Sequence, residues 1–149
     1  MSEHKATTRW ARGVAPFTYD AYTRGHDVAL HNGETLHLSA AAAFKGDDAR
    51  ANPEDLFVAA LSSCHMLTFL ALAARAGLAV ESYDDAASAW LEKGADRQLS
   101  MTRAVLRPRV VFSPGVAVDA ERLAKLHHDA HEGCFIARSV KTEITIEPR

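Results

Sequence analysis

The sequence predicts an α+β fold, with strands packed on a long buried central helix. Three observations predict it. The stretch Asn52 to Gly77, NPEDLFVAALSSCHMLTFLALAARAG, has no Asp, Glu, Lys or Arg between Leu56 and Ala74 and is apolar on every face, the mark of a buried helix. Alternating runs rich in Thr, Tyr and Val flank it on both sides, which is strand periodicity. The resulting order is strands, helix, strands, helix, strand, which gives an α+β class.

Taken in order, residues 1–7 are polar and expected to fray. Thr8 to Leu30 reads as strand, and its alternation puts Arg24 and His26 on one face. His31, Asn32, Gly33 and Glu34 supply an Asn-Gly hairpin turn, and Thr35 to Ala40 returns as the partner strand. Residues 41–51 form a loop. The central helix opens with Asn52 as N-cap, Pro53 at its first position and Glu54 and Asp55 at the positive end of the dipole. It closes with Arg75 in the last turn and Gly77 just beyond.

Ala79 to Lys93 reads as one strand, and Leu99 to Phe112 as the next. In the latter Met101, Arg103, Val105, Arg107, Arg109 and Val111 share a solvated face, while Ala104, Leu106, Val110 and Phe112 face the helix. Pro108 marks an edge or a bulge. Asp119 caps a second helix that runs to about Glu132 and stops at Gly133, and Val140 to Glu147 is the final strand.

With 149 residues and 48% hydrophobic content the chain supports one domain, residues 1–149, with a substantial core. A formal net charge of −2 gives neither a nucleic-acid signature nor a polybasic membrane patch. The 19-residue uncharged run is long enough for a membrane span, but its five alanines, two serines, Cys64, His65 and Thr68 dilute it. No apolar secretory segment opens the chain, so a cytoplasmic location is expected. There, cysteines are more often free, metal-bound or redox-active than structural disulfides.

The two cysteines, Cys64 and Cys134, are either buried small hydrophobes or a thiol–disulfide couple. Cys134, at a helix end beside Gly133, occupies a turn position rather than a core face. Reactivity needs a thiolate. Cys64 is too deep in its helix for the N-terminal dipole to help, so it needs a nearby cation, and Arg24 is the candidate. Glu54 is the carboxylate that could orient Arg24. Ten residues of helix put Glu54 about 15 Å from Cys64. Glu54 is therefore either a helix-dipole residue only, or it reaches a Cys64 of another subunit. A rival constellation is a zinc site built from His127, His131, Cys134 and His65, although no CxxC or HExxH spacing is present. The blander alternative is that His127, His128 and His131 form a solvated helix face.

Two segments carry a family resemblance. NPEDLFVAALSSCHM resembles the Asn-Pro-Glu-x-Leu entry to the central helix of the OsmC/Ohr family, the osmotically inducible and organic hydroperoxide resistance proteins. AHEGCFIARSVKTEITI is similar to that family's Ala-His-x-x-Cys segment before the last strand. The resemblance implies antiparallel sheets around the central helix and an intertwined homodimer with sites at its interface. It implies a thiol-dependent peroxidase in which Cys64 is the peroxidatic and Cys134 the resolving cysteine. Glu54 then pairs with an arginine, best matched by Arg24, that holds Cys64 as thiolate. No metal, flavin or haem is implied, and an external dithiol, dihydrolipoyl in the organic hydroperoxide branch, is the reductant. The alternative is a non-catalytic thiol- or metal-binding dimer with the same fold.

Phe135 stands where a proline often follows the second cysteine, and His65 follows the first, as in an OsmC-like branch. A site lined by Phe57, Leu61 or Phe135 would favour organic hydroperoxides over hydrogen peroxide.

Overall fold

The computed structural model describes residues 1–149, which form two compact units, Met1–Leu56 and Phe57–Arg149. The first is a three-stranded antiparallel sheet of β1 (Ala6–Arg9), β2 (His26–Leu30) and β3 (Thr35–Leu38), in that order. The β2–β3 hairpin turns at Asn32-Gly33 as the sequence expects, with Leu30 N–H donating to Glu34 O at 2.8 Å. The single strand expected from Thr8 to Leu30 is instead two strands joined by a long loop. Arg24 sits in that loop rather than beside His26 on a strand face. The reason is local chemistry, because loop carbonyls and aromatic rings capture Trp10 and Arg24 instead of a ladder. After β3 the backbone doubles back so closely that a Cβ at Gly46 would lie 1.6 Å from Ala40 O, so only glycine fits there.

The long helix α1 (Pro53–Arg75) begins at the end of this unit. Asn52 and Asp55 close a reciprocal cap: Asp55 N–H donates to Asn52 Oδ1 at 3.0 Å, and Asn52 N–H to Asp55 Oδ2 at 3.1 Å. Gly77, at φ +70°, ends the helix, with Leu78 N–H returning to Ala73 O at 2.9 Å.

In the second unit, β4 (Val80–Asp85) pairs with β7 (Pro108–Phe112), and β5 (Ser88–Lys93), β6 (Leu99–Leu106) and β8 (Glu143–Ile146) form a separate sheet. The helix α2 (Ala120–Gly133) is capped by Asp119, which accepts from Arg122 N–H at 2.8 Å. Two expected strands are each split. Asp85 causes both breaks, because its carboxylate takes the Arg107 N–H at 2.6 Å and the Ser62 hydroxyl at 2.5 Å. A side chain thereby replaces a ladder partner, and each half-strand joins a different sheet. The sheets are antiparallel except for β8, which runs parallel to β6.

One face of α1 is buried: Leu61, His65, Phe69 and Ala73, four residues apart. Phe69 and Ala73 pack with Leu78, Leu126 and Ala130, and Leu61 packs with Ala104 and Leu106. Ala60, Ser63, Leu67 and Ala71 are exposed, Leu67 at 60%. Within the second unit the helix is therefore not covered all round, although its length and apolar composition would suit a membrane span. The strands and α2 of this unit reach only one side of it.

Candidate active site

Two groups of side chains, one in each unit, account for the four residues singled out from the sequence. In the second unit Cys64 lies mid-way along α1, half-buried, and Cys134 is the C-cap of α2, 1% exposed. Both are free thiols. Gly133 allows the approach, since a Cβ there would come within 3.0 Å of Thr68 Cγ2. Thr68 Oγ1–H in turn donates to Cys64 O at 2.8 Å. Cys134 N–H donates to His131 O at 3.1 Å, and Ala137 N–H points at Cys134 Sγ at 3.4 Å.

The Cys64 and Cys134 thiols are close enough to influence each other's ionisation. Burial, and then the neighbouring Cys64, push the Cys134 thiol up to about 11. Cys64 also opens onto a cavity of about 680 Å³ walled by Leu67, Ala71, Leu72, Phe135 and Ile136. Of the residues expected to make the site apolar, Phe135 lines this cavity, whereas Phe57 and Leu61 belong to the core.

In the first unit Arg24 and Glu54 line one cavity of about 540 Å³ with Trp10, Phe17, Tyr22 and Phe44. Trp10, Phe17 and Tyr22 pack together with centroids 5.5–6.2 Å apart, Trp10 and Tyr22 edge to face and the other two pairs tilted by 51–52°. The Arg24 guanidinium lies 3.8 Å over the Tyr22 ring and donates to Tyr22 O at 2.6 Å and to Tyr19 O. No ion pair joins it to Glu54. Along the unbroken α1, Glu54 and its own Cys64 stay about 15 Å apart by helical rise.

The histidines behave differently from either expectation. No three His, Cys, Asp or Glu side chains converge to hold a metal ion. The solvated-face expectation holds for His128, which is exposed, but not for His127: His65 and His127 are 1% and 3% exposed, and His65 Nε2 meets His127 Nδ1 at 3.1 Å. This pair was missed from the sequence. Its one signal is that His65 falls on the four-residue repeat Leu61, Phe69, Ala73 that marks the buried face.

The profile of OsmC-like proteins matches residues 46–149. The chain belongs to the OsmC-like family. An OsmC-like protein of unknown function from Vibrio cholerae is 44% identical over the whole of both chains, with a TM-score of 0.96. Organic hydroperoxide resistance proteins share the fold at lower identity. One from Elizabethkingia anophelis superposes at a TM-score of 0.75, with 18% identity over 99% of this chain and 94% of that one. One from Bacillus subtilis gives 0.68, with 17% identity over 99% and 98%. No functionally curated protein matches. The family, the central helix and the two cysteine segments were thus legible from the sequence.

Proposed function

We propose that this OsmC-like protein is a thiol-dependent peroxidase that reduces organic hydroperoxides. One observation carries the reading: the buried Cys134 thiol sits close enough to Cys64 for the two to influence each other, and Cys64 stands at the wall of a largely apolar cavity. Cys64 thiolate attacks the terminal peroxide oxygen, the O–O bond breaks, and the alkoxide leaves as an alcohol after taking a proton. Cys64 becomes a sulfenic acid. The Cys134 sulfur then attacks the Cys64 sulfur, its proton leaves with the hydroxide as water, and a disulfide forms. An external dithiol, dihydrolipoyl or another, restores both thiols by two exchange steps. These steps call for no metal, flavin or haem, and a reducing cytoplasm would supply such a dithiol.

Arg24 and Glu54 complete the reading in a homodimer. The exposed stripe Ala60, Ser63, Leu67 and Ala71 on α1 supports a second copy as its cover. A shared site also accommodates a glutamate held about 15 Å along the helix from its own thiol. In this reading Arg24 of one copy holds the other copy's Cys64 as thiolate and steadies charge on the peroxide oxygens.

The test is a thiol count after one equivalent of cumene hydroperoxide. Loss of two thiols, with Cys64 and Cys134 linked, is expected. Cys64→Ser should consume no peroxide, and Cys134→Ser should stall at the sulfenic acid. Full turnover by Cys64→Ser ends the proposal. Equal rates with hydrogen peroxide would remove the preference for organic substrates, and a monomer by sedimentation would remove the shared site.

A further inference from the structure

We propose that His65 and His127 are positioning residues for disulfide formation: their imidazole–imidazole hydrogen bond sets the register of α1 against α2 and so holds Cys134 against Cys64. The inference rests on the peroxidase reading for its biological meaning, but not for its test.

The two helices carry one cysteine each. His65 is the neighbour of Cys64 on α1, and His127 lies two turns before Cys134 on α2. Thiols aside, the 3.1 Å bond between His65 Nε2 and His127 Nδ1 is the one side-chain hydrogen bond between the helices. The ring planes differ by 7°, and the centroids are 5.4 Å apart. With the nitrogens at 3.1 Å the rings meet edge to edge, as donor and acceptor, rather than face to face.

The other contacts between the helices are apolar, aromatic or small: Phe69 and Ala73 against Leu126 and Ala130, the Phe69 ring over that of His127 with centroids 4.5 Å apart, and Gly133 against Thr68. Such contacts are non-directional and tolerate sliding. A hydrogen bond between two buried rings does not, because a small shift leaves two polar atoms unpaired.

The pair is costly as mere packing. His65 Nδ1 and His127 Nε2 have no protein partner, nor do the nearby Tyr83 hydroxyl and His131 Nδ1. Phenylalanine at either position would remove those unpaired atoms, so a purely structural role would predict little loss or a gain in stability.

The groups that face the pair fix its protonation. From α2 comes His131, which disfavours charge on His65. From β4 comes Asp85, which favours charge on His127, while Tyr83 packs on the Phe69 ring that lies over His127. Asp85 is already engaged by Ser62 and the Arg107 N–H. Burial outweighs it and holds both imidazoles down to about 4. Each ring is neutral at pH 7, so one inner nitrogen donates and the other accepts.

The test measures the Cys64–Cys134 disulfide against a glutathione redox buffer, which reads effective thiol concentration without any peroxide. In the full chain, His65→Phe and His127→Phe are expected to keep or raise the melting temperature while lowering that effective concentration at least tenfold. His65→Gln and His127→Asn place an amide where the bonding nitrogen stood and should recover most of it. Unchanged effective concentration in the folded phenylalanine variants overturns the proposal, as does failure of the amide variants to recover it.

Where a variant does not fold, ¹⁵N-histidine spectra of the wild type decide. A shared N–H···N proton and two neutral rings at pH 7 are expected, and a charged or unbonded ring overturns the inference. A protein that forms this disulfide with glutathione yet ignores hydroperoxides would refute the peroxidase reading alone.

Discussion

Arg24 and Glu54 face the same cavity but form no ion pair, because Arg24 is held by its own loop. The carbonyls of Tyr19 and Tyr22 take two of its five donors, and the Tyr22 ring supports its flat face at 3.8 Å. The remaining N–H groups are free to meet a thiolate or a peroxide.

This arrangement separates the two residues by experiment. Arg24→Met should slow oxidation of Cys64 by tenfold or more, equivalent to about 1.4 kcal/mol of barrier. Arg24→Lys should recover little, since an ammonium neither stacks nor spans two carbonyls. Glu54→Gln should cost much less, because Arg24 keeps its loop contacts without it. Stopped-flow oxidation with cumene hydroperoxide measures all three, and a wild-type rate in Arg24→Met would remove Arg24 from the site.

Cys64 and Cys134 should differ sharply towards alkylation. Cys134 is 1% exposed and its thiol is pushed up to about 11, whereas Cys64 opens onto a cavity. A thiol that stays protonated and unreachable does not react. Iodoacetamide at pH 8 followed by peptide mass mapping should therefore give one adduct, at Cys64, with Cys134 labelled only after unfolding. Labelling of both at similar rates would contradict the burial of Cys134.

What the sequence could and could not show follows from the range of the interactions. Asn52, Gly77 and Asp119 act within a few residues, and each lies at a helix boundary as expected. The breaks between β4 and β5 and between β6 and β7 come from Asp85 reaching Arg107, 22 residues away. The alternation of apolar residues runs through Pro108 undisturbed, so periodicity alone could not reveal them. Arg24 followed a strand period through a segment that aromatic rings fold into a loop. The His65–His127 pair spans 62 residues. Local spacing suggested metal ligands, and only tertiary contact shows two imidazoles bonded to each other.

That pair should make stability fall with acid. In the unfolded chain both rings take protons from about pH 6.5 downwards, while in the fold burial keeps them neutral to about 4. The unfolded state therefore binds more protons across this window, so stability drops as pH falls from 6.5 to 4 and levels below it. The loss is roughly 3 kcal/mol per ring at most. Denaturant melts at pH 7, 6, 5 and 4 should show the drop beginning above the carboxylate range. A variant with both His65→Phe and His127→Phe should be flat between pH 7 and 5. A wild type equally flat there would mean that the rings are not held neutral.

Gly133 offers the most local test of how the cysteines are brought together. A Cβ at this position would lie 3.0 Å from Thr68 Cγ2, tighter than ordinary packing allows. Alanine normally gains about 1 kcal/mol over glycine within a helix, whereas overpacking costs about 1–3 kcal/mol. Gly133→Ala should therefore end near neutral or about 1–2 kcal/mol destabilised. The strain would move α2 off α1 and with it Cys134 off Cys64, so disulfide formation should slow more than stability falls. Thr68→Ser deletes Cγ2 but keeps the hydroxyl bond to Cys64 O, which relieves the contact. The double variant Thr68→Ser/Gly133→Ala should recover both disulfide rate and stability relative to Gly133→Ala, with a coupling well beyond simple additivity. Additive behaviour in that cycle would show that the two helices do not meet at these residues.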